Sequence, residues 1–425
     1  MTVRPARETE AEVGTGTATD ADCCIAGGGP AGMMLGYLLA RAGVRTVVLE
    51  KHADFLRDFR GDTVHPATLR VLDELGLLDA FLERPHQKMR RVSVVFGDER
   101  VTLADFSGLP ERYAFIAFVP QWEFLDFLAD AAEALPTFTL HRRHAATGLA
   151  WRGDRVGGVQ ARGPDGERVV RAACNVAADG RHSTLRAAAG LEATVVGAPI
   201  DVLWFRVARD PGTGDDALGR LAPGRMAVTI DRGDYWQVAY VIPKGGAEAL
   251  RARGLAAFKV DAATVAPVLA SHIDRDVASW DDVKLLSVAI DRLERWWRPG
   301  LVCIGDAAHA MSPVGGVGIN LAIQDAVAAA NVLAGPLLRR TLADADLQAV
   351  QARRLFPARA TQAVQVQVQN ALVLPTLGAR AALEVPLAAR VVARVPALQR
   401  LLARGIGMGV RAEHVRSPSA FGPVA

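Results

Sequence analysis

Short apolar runs, each closing on a glycine or an acid, punctuate this chain. Asp22-Cys23-Cys24-Ile25-Ala26 is the first of them. An unbroken run of this kind predicts a parallel strand buried on both faces. A glycine turn follows at once, Gly27-Gly28-Gly29-Pro30-Ala31-Gly32, and Met33 to Ala42 then carries apolar residues at helical spacing. Thr46-Val47-Val48-Leu49 predicts a second buried strand, ending in Glu50. Cys174 to Ala178 has the same character and closes on Asp179-Gly180. Leu301 to Ile304 repeats it and closes on Gly305-Asp306.

Between these runs the periodicity changes. Thr68 to Leu82 predicts one amphipathic helix through Leu69, Leu72 and Leu75. Val92 to Leu103 predicts a hairpin around Gly97-Asp98. Val119-Pro120-Gln121 leads into a helix carrying Phe124, Phe127 and Leu128, and Phe138 to Val170 reads as short strands with glycine turns. Longer strands follow at Val202–Val207, Met226–Ile230 and Tyr235–Ile242. Asn320 to Leu333 predicts a strong helix, and beyond Leu347 the chain reads as helical, broken at Pro375, Pro386 and Pro396.

This order predicts an α/β protein: a Rossmann-like dinucleotide-binding domain with an inserted antiparallel-sheet domain and a helical C-terminal tail. The expected boundaries are a disordered tail over 1–19 and a discontinuous nucleotide domain over 20–90, 116–190 and 285–345. The sheet domain covers 91–115 and 191–284, and the helical region 346–425.

Each residue of the opening unit has a chemical reason. Gly27 permits a tight turn, Gly29 lets backbone approach a pyrophosphate, and Gly32 lets the helix pack on the sheet. The N-terminus of the helix that follows offers unpaired N–H groups and a positive dipole end to phosphate. Glu50 sits where it would accept hydrogen bonds from a ribose diol, and it would repel a 2′-phosphate.

Composition changes this picture little. The chain has 425 residues, is 50% hydrophobic and carries a net charge of +3, which gives no case for nucleic acid. Its cysteines, Cys23, Cys24, Cys174 and Cys303, show no metal-ligand spacing and read as core residues in a reduced cytoplasm. The polar N-terminus lacks the apolar stretch of a signal peptide, and no run of about twenty apolar residues suggests a membrane span.

Glycine turn, mid-chain Asp-Gly and late Gly-Asp stand here in one order, and together they resemble the class A flavin-dependent aromatic monooxygenases, the para-hydroxybenzoate hydroxylase type. The resemblance covers roughly residues 20 to 345. It implies tightly bound FAD, NAD(P)H as a transient reductant and O₂. The expected reaction is oxygenation of an aromatic or polyketide-like small molecule through a flavin C4a-hydroperoxide. Gly27, Gly29, Pro30, Ala31, Gly32 and Glu50 would hold the AMP half of FAD. Arg60 would lie over the cofactor, and Asp62 and Thr63 would pass beside the isoalloxazine. Gln121 would reach the ribityl or pyrophosphate region, and Asp306 the ribityl hydroxyls. Asp179 and Gly180 would serve both FAD and NAD(P)H, with Arg181, His182 and Arg186 attracting the nicotinamide cofactor's phosphates.

The late glycines have their own logic. Gly315, Gly316 and Gly318 permit backbone to lie against a ring, and the helix beginning at Asn320, with Ile319 just before it at the cofactor, would aim its positive end at the pyrimidine edge of reduced flavin. The family places a proline such as Pro313 beside the peroxide-bearing carbon. Halogenase relatives carry a Trp-x-Trp-x-Ile-Pro motif; Val238 to Pro243 keeps the Ile-Pro and lacks both tryptophans, so halogenation is rejected.

On the substrate side Met226, Val228 and Trp236 are the pocket candidates. Arg206 could bind a carboxylate, and His65 reads as structural. No base stands out. Asp291 reads as a surface acid. The arginines at 380, 390, 394, 400, 404, 411 and 416 make the tail basic and amphipathic. Its prolines favour packing on the body over contact with an anionic membrane. Two alternatives stay open: a reductase of the same fold acting on a hydrophobic substrate, and a non-catalytic flavoprotein that binds a ligand. Oligomeric state is not legible.

Overall fold

The computed structural model describes residues 18–56, 63–212 and 217–421. The first strand, Ala18–Ala26, runs parallel to Gly166–Ala177 on one side and to Thr46–Glu50 on the other. Leu301–Cys303 and Phe138–Arg142 extend the sheet at its two flanks, also in parallel. The first strand begins four residues earlier than the apolar run suggests, at Ala18, inside the segment expected to be tail.

Both faces of this sheet are covered, which explains why its strands are apolar without alternation. On one face Cys23, Ile25, Val48, Cys174, Val176 and Val302 pack under the helices Pro30–Arg41, Gln121–Glu133 and Gly318–Arg339. On the other, Cys24, Ala26, Val47, Leu49 and Cys303 meet Val156, Val159 and Trp296. All four cysteines are buried and free, and burial pushes the thiols of Cys24 and Cys303 well up, so they pack as small apolar groups.

The second large sheet runs in the order Lys284–Ser287, Ile200–Ala208, Tyr235–Pro243, Arg225–Asp231, Ala217–Ala222, Arg91–Phe96, Glu99–Asp105. The Gly97-Asp98 hairpin is present, with Gly97 at φ +60. All neighbours are antiparallel except one: Ala217–Ala222 lies parallel to Arg91–Phe96, stitching the early hairpin to the later strands. The face carrying Leu203, Phe205, Trp236, Val238 and Tyr240 packs on the helix Leu255–Val265 through Phe258. The opposite face carries Val202, Trp204, Ile230, Ala239 and Val241 and looks toward the nucleotide domain.

Two sequence expectations fail for local reasons. The helix over Thr68–Leu82 is two helices, Pro66–Glu74 and Leu78–Leu82, because Gly76 takes φ +73 and ends the first. Pro375 does not break its helix. A π-turn at Gln369–Val373 precedes it and the chain continues helically through Leu374–Gly378.

Among the described residues one helix, counted from Val314 to Arg339, is long and apolar enough to cross a membrane, and 67% of its most apolar 18-residue window is buried in the fold. It packs against Pro30–Arg41 and Asp344–Val368. In the tail, Pro396–Met408 buries Ala403 and Gly407 against Pro66 and Phe106. Leu387–Arg394 buries none of its residues. The strap Arg411–Ser417 returns to the nucleotide domain, where Asn331 bonds the backbone of His414, Arg416 and Ser417.

Candidate active site

The parallel strands deliver their loops to one edge of the sheet, where open α/β sheets bind ligands. Gly27 sits at φ +105, and a side chain there would collide with the carbonyl of Ala178. A side chain at Gly32 would collide with the carbonyl of Gly27, so both glycines are required by backbone packing alone. Gly29 differs: it has ordinary extended geometry, and a Cβ built on it meets nothing within 4 Å. The helix it opens has Pro30 at its first turn, no side-chain cap and no acid there, so its leading N–H groups have no capping side chain. Glu50 is 8% exposed; its Oε2 accepts from the Gly28 N–H at 2.9 Å and its Oε1 from the His52 N–H at 2.9 Å. The acid is therefore held under the glycine turn, and a carboxylate oxygen can accept more than one bond.

Asp179 and Asp306 flank this turn. The Ala178 N–H donates to Ala26 at 2.8 Å, setting the Asp-Gly loop beside Gly27. Asp179 Oδ2 accepts from the N–H groups of Thr184 at 2.8 Å and Leu185 at 3.3 Å, capping a short helix, while Oδ1 is buried and unpartnered. Gly180, at φ +88, borders open space. Gly305, at φ +58, presses on Ala31 of the opening helix and so brings half-buried Asp306 to the same place. Arg186 joins the two loops, donating to Arg181 O at 2.7 Å and Ala307 O at 3.3 Å. Arg181 donates to Ser287 O at 3.1 Å. The arginines are thus organised by backbone carbonyls and not by the Asp179 carboxylate.

The late loop closes the third side. Gly315 and Gly316 take φ +82 and +63, and a side chain on Gly316 would collide with Thr63. Thr63 Oγ1 donates to Gly316 O at 2.8 Å. Asn320 is a hub: its Nδ2 donates to Thr63 O at 3.0 Å and Gly316 O at 3.2 Å, and its Oδ1 accepts from the His65 N–H and the Thr68 hydroxyl, both at 2.8 Å. Its side chain therefore positions the loop. The helix from Gly318 has no side-chain cap and no acid in its first turn, and Gly318 borders open space. Ile319 is buried behind it, and Pro313 stands half-buried at the head of the loop.

Met226 and Val228 lie on the face of the second sheet that looks toward this loop, in one apolar cluster with Val314, Phe118, Val373 and Leu377. Trp236 does not. Strand alternation turns it to the opposite face, where it is 1% exposed and packs with Phe205 and Phe258. It is core, and the pocket assignment is corrected. Gln121 begins the helix Gln121–Glu133 and is half-buried. Arg60 and Asp62 lie outside the described residues. Arg206 is exposed, its guanidinium 5.1 Å from the Tyr235 ring centre. His65 is buried, its Nδ1 3.0 Å from Ile406 O, and burial lowers its pKa to about 4. Asp291 is no surface acid: it is half-buried and accepts from the Ala310 N–H at 3.2 Å.

Sequence reasoning missed a buried ionic group behind Asp306. Asp325 Oδ2 accepts from the Gly305 N–H at 3.1 Å and lies 2.6 Å from His309 Nε2; its Oδ1 accepts from Arg354 Nε at 2.8 Å. Burial pushes the Asp325 carboxyl up, but His309 and Arg354 outweigh it and hold the group below the usual carboxylate range. The signal was present: one acid inside the apolar helix Asn320–Leu333 must have a partner. A cleft of about 350 Å³ behind the second sheet, lined by Tyr240, Arg225, Arg253 and Asp261, is on the wrong face for this site, and Asp261 pairs with both arginines.

Comparison with known proteins decides the family. The model of an FAD binding domain matches residues 20–365. The 6-methylpretetramide 4-monooxygenase of Streptomyces rimosus is 36% identical over 397 residues, covering 93% of this chain and 94% of the relative. The chain belongs to the class A flavin monooxygenases. A second relative, the 12-dehydrotetracycline 5-monooxygenase/anhydrotetracycline 6-monooxygenase of Streptomyces rimosus, is 32% identical over 332 residues; the match covers 72% of this chain and 61% of that longer protein. Among solved structures, the OxyS anhydrotetracycline hydroxylase of Streptomyces rimosus superposes with a TM-score of 0.70 at 27% identity, covering 93% of this chain and 77% of the other. This monooxygenase is an oxidoreductase with FAD as its cofactor and NAD(P)H and O₂ as its co-substrates. The observed residues fit the cofactor: open space at Gly29, two uncapped helix N-termini and the orphaned Oδ1 of Asp179 suit a phosphate-bearing, hydroxyl-rich ligand.

Proposed function

We propose that this monooxygenase hydroxylates a polycyclic aromatic polyketide held between the late glycine loop and the second sheet. One observation carries the reading: Val314, next to Pro313, packs in the same apolar cluster as Met226 and Val228. The cofactor loop and the substrate sheet therefore share one wall. The near full-length match to a pretetramide monooxygenase supports a flat, multi-ring substrate.

Bound FAD supplies hydride acceptance from NAD(P)H and the activation of O₂. The chain supplies placement. The glycine turn and Ala31 would present N–H groups to the pyrophosphate, Pro30 would start the helix without a donor of its own, and Glu50 would take the adenosine ribose. Asp306 would take the ribityl hydroxyls, Gln121 would reach the ribityl or pyrophosphate region, and Asp179-Gly180 with Arg181, His182 and Arg186 would serve the approach of NAD(P)H. Thr63 would border the ring, as the sequence expects of Arg60 and Asp62, and the N–H groups of Gly318, Ile319 and Asn320 would face its pyrimidine edge, where they would stabilise negative charge. Pro313, Val314, Met226 and Val228 make an apolar wall that would exclude water from the bound substrate.

The test is NAD(P)H oxidation by FAD-loaded protein across a panel of polycyclic aromatic polyketides. The expected result is substrate-stimulated oxidation with a product one oxygen atom heavier. Stimulation without oxygenated product would contradict the proposal.

A further inference from the structure

The C-terminal helix reaches back into the site. Gln362, Gln365 and Gln369 follow at spacings of three and four, which sets them on one helical face. All are buried, at 1%, 4% and 0% exposure. Buried polar side chains are hydrogen-bonded as a rule, and each of these amides donates through its Nε2, although Gln369 Oε1 has no partner among the described residues. Gln365 treats Ser312 as one strand treats another. Its Oε1 accepts from the Ser312 N–H at 3.1 Å, and its Nε2 donates to Ser312 O at 2.8 Å and to Val314 O at 2.9 Å. Gln369 Nε2 donates to Ser312 Oγ at 2.7 Å, and that oxygen accepts from the Val314 N–H at 3.3 Å. Pro313 lies between the two residues so held. Gln362 is the same device pointed elsewhere: its Nε2 donates to Asp291 O at 2.8 Å and Ala310 O at 3.1 Å.

The loop is thus clamped from two sides. Thr63 and Asn320 hold its Gly316 end. The C-terminal helix holds its Ser312 end. Just beyond Gln369, Val373 and Leu377 of the same helical run join the apolar cluster of Met226 and Val228. We infer that Gln365 and Gln369 are positioning residues, fixing the Ser312–Val314 backbone so that Pro313 and the helix start at Gly318 meet the flavin in one orientation. The inference rests on the FAD-dependent reading above and adds to it a role for the C-terminal helix, through two residues that the glycine and aspartate motifs do not include.

The experiment compares Gln365→Met and Gln369→Met with Gln362→Met in FAD-loaded protein. All three remove amide bonds at buried sites of one helix, so a purely structural role treats them alike. The readouts are the visible absorption band of oxidised flavin, the FAD dissociation constant, the melting temperature, and the share of NAD(P)H electrons released as hydrogen peroxide. The expected result is a lower melting temperature in all three. A shifted flavin band and a several-fold larger peroxide share are expected only for Gln365→Met and Gln369→Met. Should Gln365→Met not fold, Ser312→Ala removes the Gln369 bond, and with it the bond from the Val314 N–H, with little change of volume, and must shift the flavin band at least as far as Gln369→Met. Identical flavin bands in all variants and wild type, or equal shifts including Gln362→Met, would overturn the inference while leaving the functional reading intact. Wild-type protein that cannot hold FAD would overturn both.

Discussion

The guanidinium of Arg186 donates to the carbonyl of Ala307 at 3.3 Å, joining two loops that stand more than a hundred residues apart in the chain. Asp179-Gly180 and Gly305-Asp306 are thereby one unit around the glycine turn. Replacing Arg186 by Met removes this bond and the one to Arg181 O, each a charged hydrogen bond of about 1.5–3 kcal/mol. FAD titration by fluorescence quenching should show affinity weakened by about tenfold or more. Unchanged affinity would mean that the loops hold their places without the arginine.

Two glycines of the same turn should behave oppositely. Gly29→Ala adds a methyl where nothing of the protein lies within 4 Å, so apoprotein stability should change by less than about 1 kcal/mol. FAD retention should fall, because that space belongs to the pyrophosphate. Gly27→Ala forces an L-residue to φ +105 against Ala178. The dihedral alone costs about 1–3 kcal/mol, and the collision adds to it. Denaturant melts of both apoproteins, with FAD titrations, check the contrast.

His65 predicts a pH signature. Burial, offset in part by its bond to Ile406, lowers its pKa to about 4 in the fold from 6.5 in the open chain. The folded state therefore holds the ring neutral, and the unfolded state takes up a proton below pH 6.5. Stability from this group is full above the unfolded value. It is lost as pH falls toward about 4, at up to about 1.4 kcal/mol per pH unit. His65→Gln should flatten the profile in that window relative to wild type; parallel profiles would contradict the assignment.

Asp306→Ala should weaken FAD binding by about tenfold or more, through lost charge-assisted bonds to ribityl hydroxyls. The matched control is Asp165→Ala, whose side chain is 86% exposed at a turn. Equal FAD occupancy in the two proteins would remove Asp306 from the cofactor site.

Legibility followed physical cause. The glycine turn, Glu50 and the buried strands were readable because backbone clash and double-sided burial restrict residue type directly. The split of Thr68–Leu82 was not, because Leu69, Leu72 and Leu75 fit one helix and only Gly76 marks the end. Met226, Val228 and Trp236 were chosen together, but alternation along a strand assigns no absolute face, and Trp236 packs with Phe205 and Phe258 on the face opposite Met226 and Val228. The strand Ala217–Ala222 and the helix Leu255–Val265 were missed, since tertiary pairing with Arg91–Phe96 and packing of Phe258 define them. Gln365, Gln369 and Arg354 were out of reach: their partners lie more than 25 residues away, and the glutamines' pairing to Ser312 leaves no local mark.

The central claim is that this fold directs oxygen onto a polycyclic aromatic polyketide. The most direct measurement is turnover of FAD-loaded protein with NAD(P)H under ¹⁸O₂, with mass analysis of the product. The account predicts one ¹⁸O atom per product molecule and little peroxide while substrate is present. Product reduced but free of ¹⁸O, formed equally well without oxygen, would contradict it and make the chain a reductase.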